Sequence, residues 1–171
     1  TFSIVRYGNV LGSRGSVIPF FLSIAKGRDI PITDPRMTRF MIDLDQGVEL
    51  VLQALDEAIG GEIFVKKIPS MNIIEIAKAV APGLAYSTVG IRAGEKLHEQ
   101  MIGVEDAPFT YEYQDYYKIL PNLNNWASDP LRIANGVRVS EDFSYTSDNN
   151  SSWMTTEELR IWIKNNSAIL G

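Results

Sequence analysis

The stretch that most constrains this chain is its opening, residues 2–21. An apolar run from Phe2 to Val5, interrupted only by Ser3, leads into a segment carrying Gly8, Gly12 and Gly15 and then into an apolar, helix-like stretch near Pro19. That is the layout of a buried strand that delivers a loop to a helix, and such units build layered α/β folds. Glycines at a strand end let the backbone approach a ligand closely, while Asn9, Ser13, Arg14 and Ser16 set donors and acceptors around the same turn. The chemistry implied is the gripping of an anionic, hydroxyl-rich small molecule.

The rest of the chain repeats the alternation. A short helix is expected from Pro19 to Lys26, stopped by Gly27, and an extended piece at Ile30-Pro31-Ile32-Thr33 before the Asp34-Pro35 turn. Residues 37–42 suit a short strand, or a bridge into a helix that opens with the capping pair Asp43 and Gln46. Leu44, Val48, Val51, Leu52 and Leu55 follow a 3.6-residue period and are expected to form the buried face of that helix, which Gly60-Gly61 ends. A buried strand over Glu62–Val65 follows, then a helix capped by Ser70 with the face Ile73, Ile74, Ile76, Ala77 and Val80. A strand near Tyr86–Ile91 feeds a charged turn, Gly90–Glu99, that continues into a short helix. Phe109–Tyr113 and Tyr116–Leu120 read as a hairpin or meander whose aromatics pack a core. Residues 122–150 read as long loop, and Thr155 with Glu158 caps a last helix on Leu159, Trp162 and Ile163.

Composition narrows the function. With 45% apolar residues in 171, the chain can bury a core, and a net charge of −5 argues against a nucleic-acid surface, which needs clustered Lys and Arg. Cysteine is absent and His98 is the single histidine, which excludes disulfides, thiolate metal sites and a histidine metal cluster. No apolar run approaches the roughly 18 residues of a membrane span, and no secretion signal is present, so a cytoplasmic location fits. The start at Thr1-Phe2-Ser3-Ile4-Val5, strand-like and without Met, reads as the middle of a domain.

Five motifs in order carry a resemblance: Arg6-Tyr7-Gly8-Asn9-Val10, Gly12–Pro19, Pro31-Ile32-Thr33-Asp34, Met37-Thr38-Arg39-Phe40 and Gly90–Glu99. Together they resemble the C-terminal half of the nucleotide-sugar 4,6-dehydratases of the extended short-chain dehydrogenase/reductase superfamily, nearest the inverting subgroup that acts on UDP-N-acetylglucosamine in pseudaminic acid and surface-polysaccharide biosynthesis. The tail Phe143–Asn150 with Trp153 is similar to the same subgroup. The resemblance implies an α/β fold, the C-terminal portion of an NAD(P)-binding Rossmann fold, with the last parallel strands plus a mixed α/β substrate-binding domain and the N-terminal half missing. Residues 1–15 and about 43–66 are then expected in the nucleotide-binding core, and the remainder of 1–171 in the substrate domain. The family's Gly-x-x-Gly-x-x-Gly fingerprint and Tyr-x-x-x-Lys pair do not occur in this sequence. No catalytic residue is therefore assigned, and the chain alone is expected to be inactive.

The resemblance also assigns contacts. It implies NADP at Val10 and a UDP-sugar at Asn9, at Arg14, Gly15, Ser16, Val17 and Ile18, at Thr33 and at Arg92. From the residues alone, Asn9 serves a sugar-phosphate or stabilises its own turn, and Thr33 contacts a nucleotide or merely ends a strand. Arg92 clamps a pyrophosphate with its planar fork, or pairs with Glu95 or Glu99 at the surface. Where the family usually has Pro after this Arg, Ala93 stands here, which loosens the loop. His98, Arg39 and Asp43 read as structural. The full-length protein is expected to oxidise the sugar at C4, eliminate water across C5 and C6, return hydride to C6 with inversion at C5, and form a homo-oligomer. A UDP-sugar epimerase or retaining dehydratase of the same superfamily, or a non-catalytic nucleotide-sugar-binding piece, are the other readings.

Overall fold

The computed structural model describes residues 2–25 and 29–170. In chain order run β1 (Ile4–Arg6), β2 (Asn9–Val10), α1 (Val17–Ile24), β3 (Ile30–Ile32), β4 (Thr38–Ile42), α2 (Leu44–Glu57), β5 (Ile63–Lys66), β6 (Ser70–Asn72) and α3 (Ile73–Val80). They are followed by β7 (Tyr86–Thr88), β8 (Gln100–Ile102), β9 (Thr110–Glu112), β10 (Tyr116–Ile119), α4 (Pro130–Ile133), β11 (Val137–Arg138), β12 (Tyr145–Thr146), α5 (Thr156–Asn165) and α6 (Ser167–Leu170). These elements fall into two compact units, Thr1–Tyr7 with Asp43–Ile68 and Gln100–Thr146, and Gly8–Ile42 with Pro69–Glu99 and Ser147–Gly171.

The first unit holds a mixed sheet in the order β1-β5-β10-β9-β11 and an antiparallel pair of β8 and β12. β1 runs parallel to β5, with Ile4 opposite Ile63 and Arg6 opposite Val65, and the other pairs are antiparallel. The expected aromatic hairpin is β9 and β10, and Tyr113 stacks on Tyr116 with ring centroids 4.5 Å apart. α2 opens on the predicted capping box: the Asp43 carboxylate accepts the Gln46 N–H at 2.7 Å and the Gln46 side chain accepts the Asp43 N–H at 3.3 Å. Its buried face, however, is Gly47, Leu50 and Ala54. Leu50 and Ala54 pack with Phe64, Tyr111, Tyr113 and Tyr116, whereas Leu44, Val48, Val51, Leu52 and Leu55 are exposed. The correction has a simple cause: a 3.6-residue period says which residues share a face, not which face is covered.

Residues 122–150, read as loop, contain α4, β11 and β12. Asp129 caps α4, accepting the Leu131 N–H at 3.0 Å, and Pro130 follows as its first residue. α4 supplies a buried cation: Arg132, 6% exposed, pairs with Glu62, 1% exposed. Arg132 also donates to the Gly60 carbonyl and lies over the Trp126 ring at 4.1 Å. Burial opposes the Glu62 charge, but donors from backbone N–H groups, the Ser3 hydroxyl and the Arg132 guanidinium outweigh it and hold the carboxyl below its ordinary range.

The second unit holds two small sheets. In the first, β2 is parallel to β4 and β6 antiparallel to it, and in the second β3 is parallel to β7. Ile18, Phe21, Ile30, Ile32, Met41 and Ile76 lie in their common core. α3 carries its predicted apolar residues, but its cap is Asn72, whose side chain accepts the Ile74 N–H at 2.8 Å. Ser70 lies in β6, opposite Phe40. The cap moved because Ser70 and Asn72 are both good N-caps two residues apart, and the ladder with β4 claims the first. The charged turn does not continue into a helix: it holds a turn at residues 93–94 and a bend at 97–98, tied where the Leu97 carbonyl accepts the Thr38 N–H at 3.2 Å. Thr155 and Glu158 form the second capping box at the head of α5. α1 begins two residues before Pro19, and the predicted stop at Gly27 lies outside the described residues. Among the described residues no helix is long and apolar enough to cross a membrane.

Candidate functional site

The site lies in the second unit and starts from the close approach of β2 to β4. A Cβ at Gly8 would stand 2.4 Å from the Phe40 Cβ, so only glycine lets the chain enter β2 here. The loop after β2 is then tied down by its own backbone. The Leu11 N–H donates to the Ile42 carbonyl at 2.8 Å, the Ser13 N–H to Val10 at 3.2 Å and the Ser16 N–H to Ser13 at 3.0 Å. Gly12, at φ +72°, takes the left-handed turn this requires. The loop ends at Ser16, which occupies the cap position of α1 yet makes no side-chain cap bond. Its Oγ is buried and has no hydrogen-bond partner among the described residues. A buried hydroxyl without a partner costs about 1–3 kcal/mol.

A cavity of about 360 Å³ opens beside this loop. Five of the nine predicted contact residues line it: Asn9, Gly15, Val17, Thr33 and Arg92. The other four are adjacent in sequence but do not line it. Val10 is the last residue of β2, opposite Ile42, Arg14 is exposed, Ser16 caps α1, and the Ile18 side chain, 1% exposed, belongs to the core.

Thr33 and Arg92 reach the cavity from the paired strands β3 and β7. The Val89 N–H donates to Ile32 at 2.9 Å, extending that pairing to the start of the Arg92 turn. Within the turn the Glu95 carboxylate accepts the Arg92 backbone N–H at 2.9 Å, and the Glu95 N–H returns to the Arg92 carbonyl at 3.1 Å. Gly90 and Gly94, at φ +89° and +85°, bracket it. Glu95 thus engages Arg92 through the backbone, and among the described residues the Arg92 guanidinium has no ion pair. The surface-pair alternative with Glu95 or Glu99 is not what this geometry contains. His98 bonds Thr38 Oγ1 through Nδ1 at 2.8 Å, and Thr38 also meets Ser147 Oγ at 2.7 Å, a structural knot outside the cavity lining.

The profile of a family described as polysaccharide biosynthesis protein matches residues 1–121. The chain belongs to this family. Among relatives, it is 50% identical over 165 residues to an inverting UDP-N-acetylglucosamine 4,6-dehydratase of Campylobacter jejuni, a match covering 92% of this chain and 49% of that protein. It is 37% identical over 164 residues to a UDP-glucose 4-epimerase of Rickettsia massiliae, covering 92% of this chain and 47% of that one. Among solved structures, Pen from Bacillus thuringiensis superposes with a TM-score of 0.82 at 32% identity, over 98% of this chain and 51% of that chain. The chain therefore spans about half the length of the relatives it matches. Its fold is the mixed α/β arrangement with parallel strands expected of the C-terminal portion of a Rossmann-type enzyme of this superfamily.

Arg39, expected to make structural contacts, also reaches this site. It lines the same cavity, and its guanidinium donates to the carbonyls of Thr38 at 2.7 Å, Leu97 at 3.1 Å and Lys96 at 3.1 Å while pairing with Glu99 at 3.4 Å. The signal was available: a lone arginine inside the apolar run Met37–Ile42 has to find partners. It closes the C-terminal end of the segment that carries Arg92. Arg39→Ala removes these ties at about 1 kcal/mol each, so local opening of residues 92–97 rises on the order of tenfold or more. Limited proteolysis is the measurement: cleavage within that segment accelerates, and Arg39→Lys restores only part of the protection, because an ammonium lacks the planar fork.

Proposed function

We propose that this chain is the substrate-gripping part of a nucleotide-sugar 4,6-dehydratase, holding UDP-N-acetylglucosamine for NADP-dependent conversion to a UDP-4-keto-6-deoxy sugar with inversion at C5. The observation that carries the reading is the single cavity lined by Asn9, Gly15, Val17, Thr33 and Arg92. Its volume of about 360 Å³ lies within the usual range for small-ligand sites. In this reading the Arg92 guanidinium takes the pyrophosphate in a bidentate grip, and the α1 N-terminus with Gly15 and Ser16 offers donors to the same anion. Asn9 bonds the sugar-phosphate and Thr33 the nucleoside end. Val10 suits a cofactor contact, because it closes β2, which runs parallel to β4, and open α/β sheets hold cofactors at the carboxyl ends of parallel strands. When bound, NADP would accept hydride from C4 and return it to C6. The residues here orient the sugar and move no proton, so the chain by itself is expected not to turn over. The full-length protein is proposed to be a cytoplasmic homo-oligomer acting in surface-polysaccharide synthesis.

The resemblance to a Rickettsia epimerase supports a second reading, C4 epimerisation of a UDP-sugar by the same grip. Product stereochemistry separates the two. A full-length protein carrying this chain, given UDP-N-acetylglucosamine and NADP, is expected to give a 4-keto-6-deoxy product inverted at C5, read by NMR. Retention at C5 would overturn the inverting assignment, and a C4 epimer that keeps its C6 hydroxyl would favour the second reading.

A further inference from the structure

The aromatic end of the first unit holds a polar cluster that a grip on a nucleotide-sugar leaves unused. Lys118, on β10, is buried, its side chain 5% exposed. Its ammonium stands 5.1 Å from the centroid of the Phe64 ring and 5.0 Å from that of Tyr113. Among the described residues its acceptors are the Glu57 carboxylate at 3.5 Å and the Arg132 carbonyl at 3.4 Å. Both lie beyond the roughly 2.7–2.9 Å of a charge-assisted hydrogen bond, so a group with three donors is left short of close acceptors. Glu57, the last residue of α2, is the reverse case. The Tyr116 hydroxyl donates to its carboxylate at 2.5 Å and the Gln53 amide at 2.9 Å, while the side chain stays 33% exposed. Burial opposes its charge, but Tyr116, Gln53 and Lys118 outweigh it and hold the carboxyl below its ordinary range.

Lys118 and Glu57 line one cavity of about 430 Å³, within the roughly 300–1,000 Å³ of small-ligand sites. Gln114 and Asp115, between β9 and β10, and Asn135, after α4, add polar groups to it, and Leu131 and Ala134 an apolar strip. Ala134 stands at φ +49° and ψ −116°, a conformation suited to glycine, and outliers of this kind gather at ligand sites. Charge decides what the cavity can take. A free anion meets Glu57 and Asp115, and a free cation meets Lys118. A hydroxyl group escapes both penalties, because its oxygen accepts from the ammonium while its proton goes to the carboxylate. The carboxamides of Gln53, Gln114 and Asn135 donate and accept in the same way. Hydroxyls on adjacent ring carbons suit an ammonium and a carboxylate 3.5 Å apart, and the C–H face of such a ring suits Leu131 and Ala134. We propose that this cavity is a second sugar site, which takes a neutral, unphosphorylated pyranose through Lys118, Glu57 and the surrounding amides.

The cavity shares no lining residue with the one at Arg92, so this proposal and the nucleotide-sugar reading fail separately. The nitrogen-labelled chain is titrated with methyl α-D-glucopyranoside and followed by NMR. Saturable shifts are expected at the backbone amides of Gln114, Asp115 and Asn135, and they persist in Arg92→Ala. Gln114→Ala with Asn135→Ala, both exposed, is expected to weaken binding about tenfold at an unchanged melting temperature. Lys118→Met is expected to weaken it by about tenfold or more, an apolar chain of similar length filling the buried stem. The proposal is overturned if those three amides do not move, if their shifts vanish in Arg92→Ala, or if neither the double substitution nor Lys118→Met weakens binding. Tighter binding of glucose 1-phosphate or of ethylammonium than of the glucoside overturns it too, by assigning the cavity to a charged ligand.

Discussion

Arg92→Ala is expected to weaken binding of UDP to the 171-residue chain by about 100-fold, the loss expected when a bidentate charge-assisted contact is truncated. The expectation rests on what the guanidinium does in the free protein. Glu95 takes the Arg92 backbone N–H, not the guanidinium, and no other carboxylate among the described residues claims it, so no internal partner has to be displaced when a pyrophosphate arrives. Isothermal titration with UDP and UMP reads the effect, and the substitution should cost more against the diphosphate. Arg92→Lys is expected to recover only a minor part, since a point charge cannot reproduce two parallel N–H bonds. An unchanged UDP affinity in Arg92→Ala would remove Arg92 from the site and leave the cavity's anion chemistry to Arg39 and the α1 N-terminus.

Arg132→Met is expected to destabilise the first unit by about 3–5 kcal/mol, the typical cost of leaving a buried charge without its partner. The two groups are nearly inaccessible, Arg132 at 6% and Glu62 at 1%, so solvent cannot stand in for the lost cation. In a chain of this size the melting midpoint should fall by roughly 10 °C. The pH dependence gives the effect a signature. Glu62 titrates below the ordinary glutamate value of 4.5 when folded, so its contribution is fully present above that value and is lost as pH falls through the folded pKa. Without Arg132 the carboxyl keeps its backbone and Ser3 donors but loses the guanidinium, so its charged form is less favoured. The gap between Arg132→Met and the unmodified chain is therefore largest above about pH 5 and narrows as the solution is acidified below the usual glutamate range. Thermal melts between pH 3.5 and 7 test this; a gap that stays constant would mean that Arg132 acts through packing on Trp126 and not through Glu62.

What sequence reading captured and what it missed divide along a physical line. Capping boxes at Asp43 and Thr155, the aromatic hairpin and the strand leading into the glycine loop were legible because each is written within a few consecutive residues, although that strand is not buried as expected: Ile4 is exposed. Asn9, Gly15, Thr33 and Arg92 lie on three segments far apart in sequence, and the family resemblance, not any local pattern, set them side by side before the cavity gathered them. The covered side of α2 was misread because amphipathic periodicity is blind to what lies opposite. The Arg132–Glu62 pair joins residues 70 apart, and α4 sits in a stretch rich in Asn, Asp, Ser and Gly that looks like loop until a buried carboxylate calls for a cation. Arg39 was rightly expected to be structural, but its particular carbonyl partners at Lys96 and Leu97 are invisible to a local window.

The two units are interleaved along the chain, which changes allegiance at residues 8, 43, 69, 100 and 147. No single continuous segment contains either of them. The first unit lacks β11 until Arg138 has been added, and the second lacks α5 until Asn165 has. Their early pieces, including the apolar helix α2, must wait in the open while the chain lengthens. Long-range closure of this kind slows folding and prolongs exposure of sticky surface. Truncation before Thr146 therefore leaves not one finished unit and one missing unit but two unfinished ones.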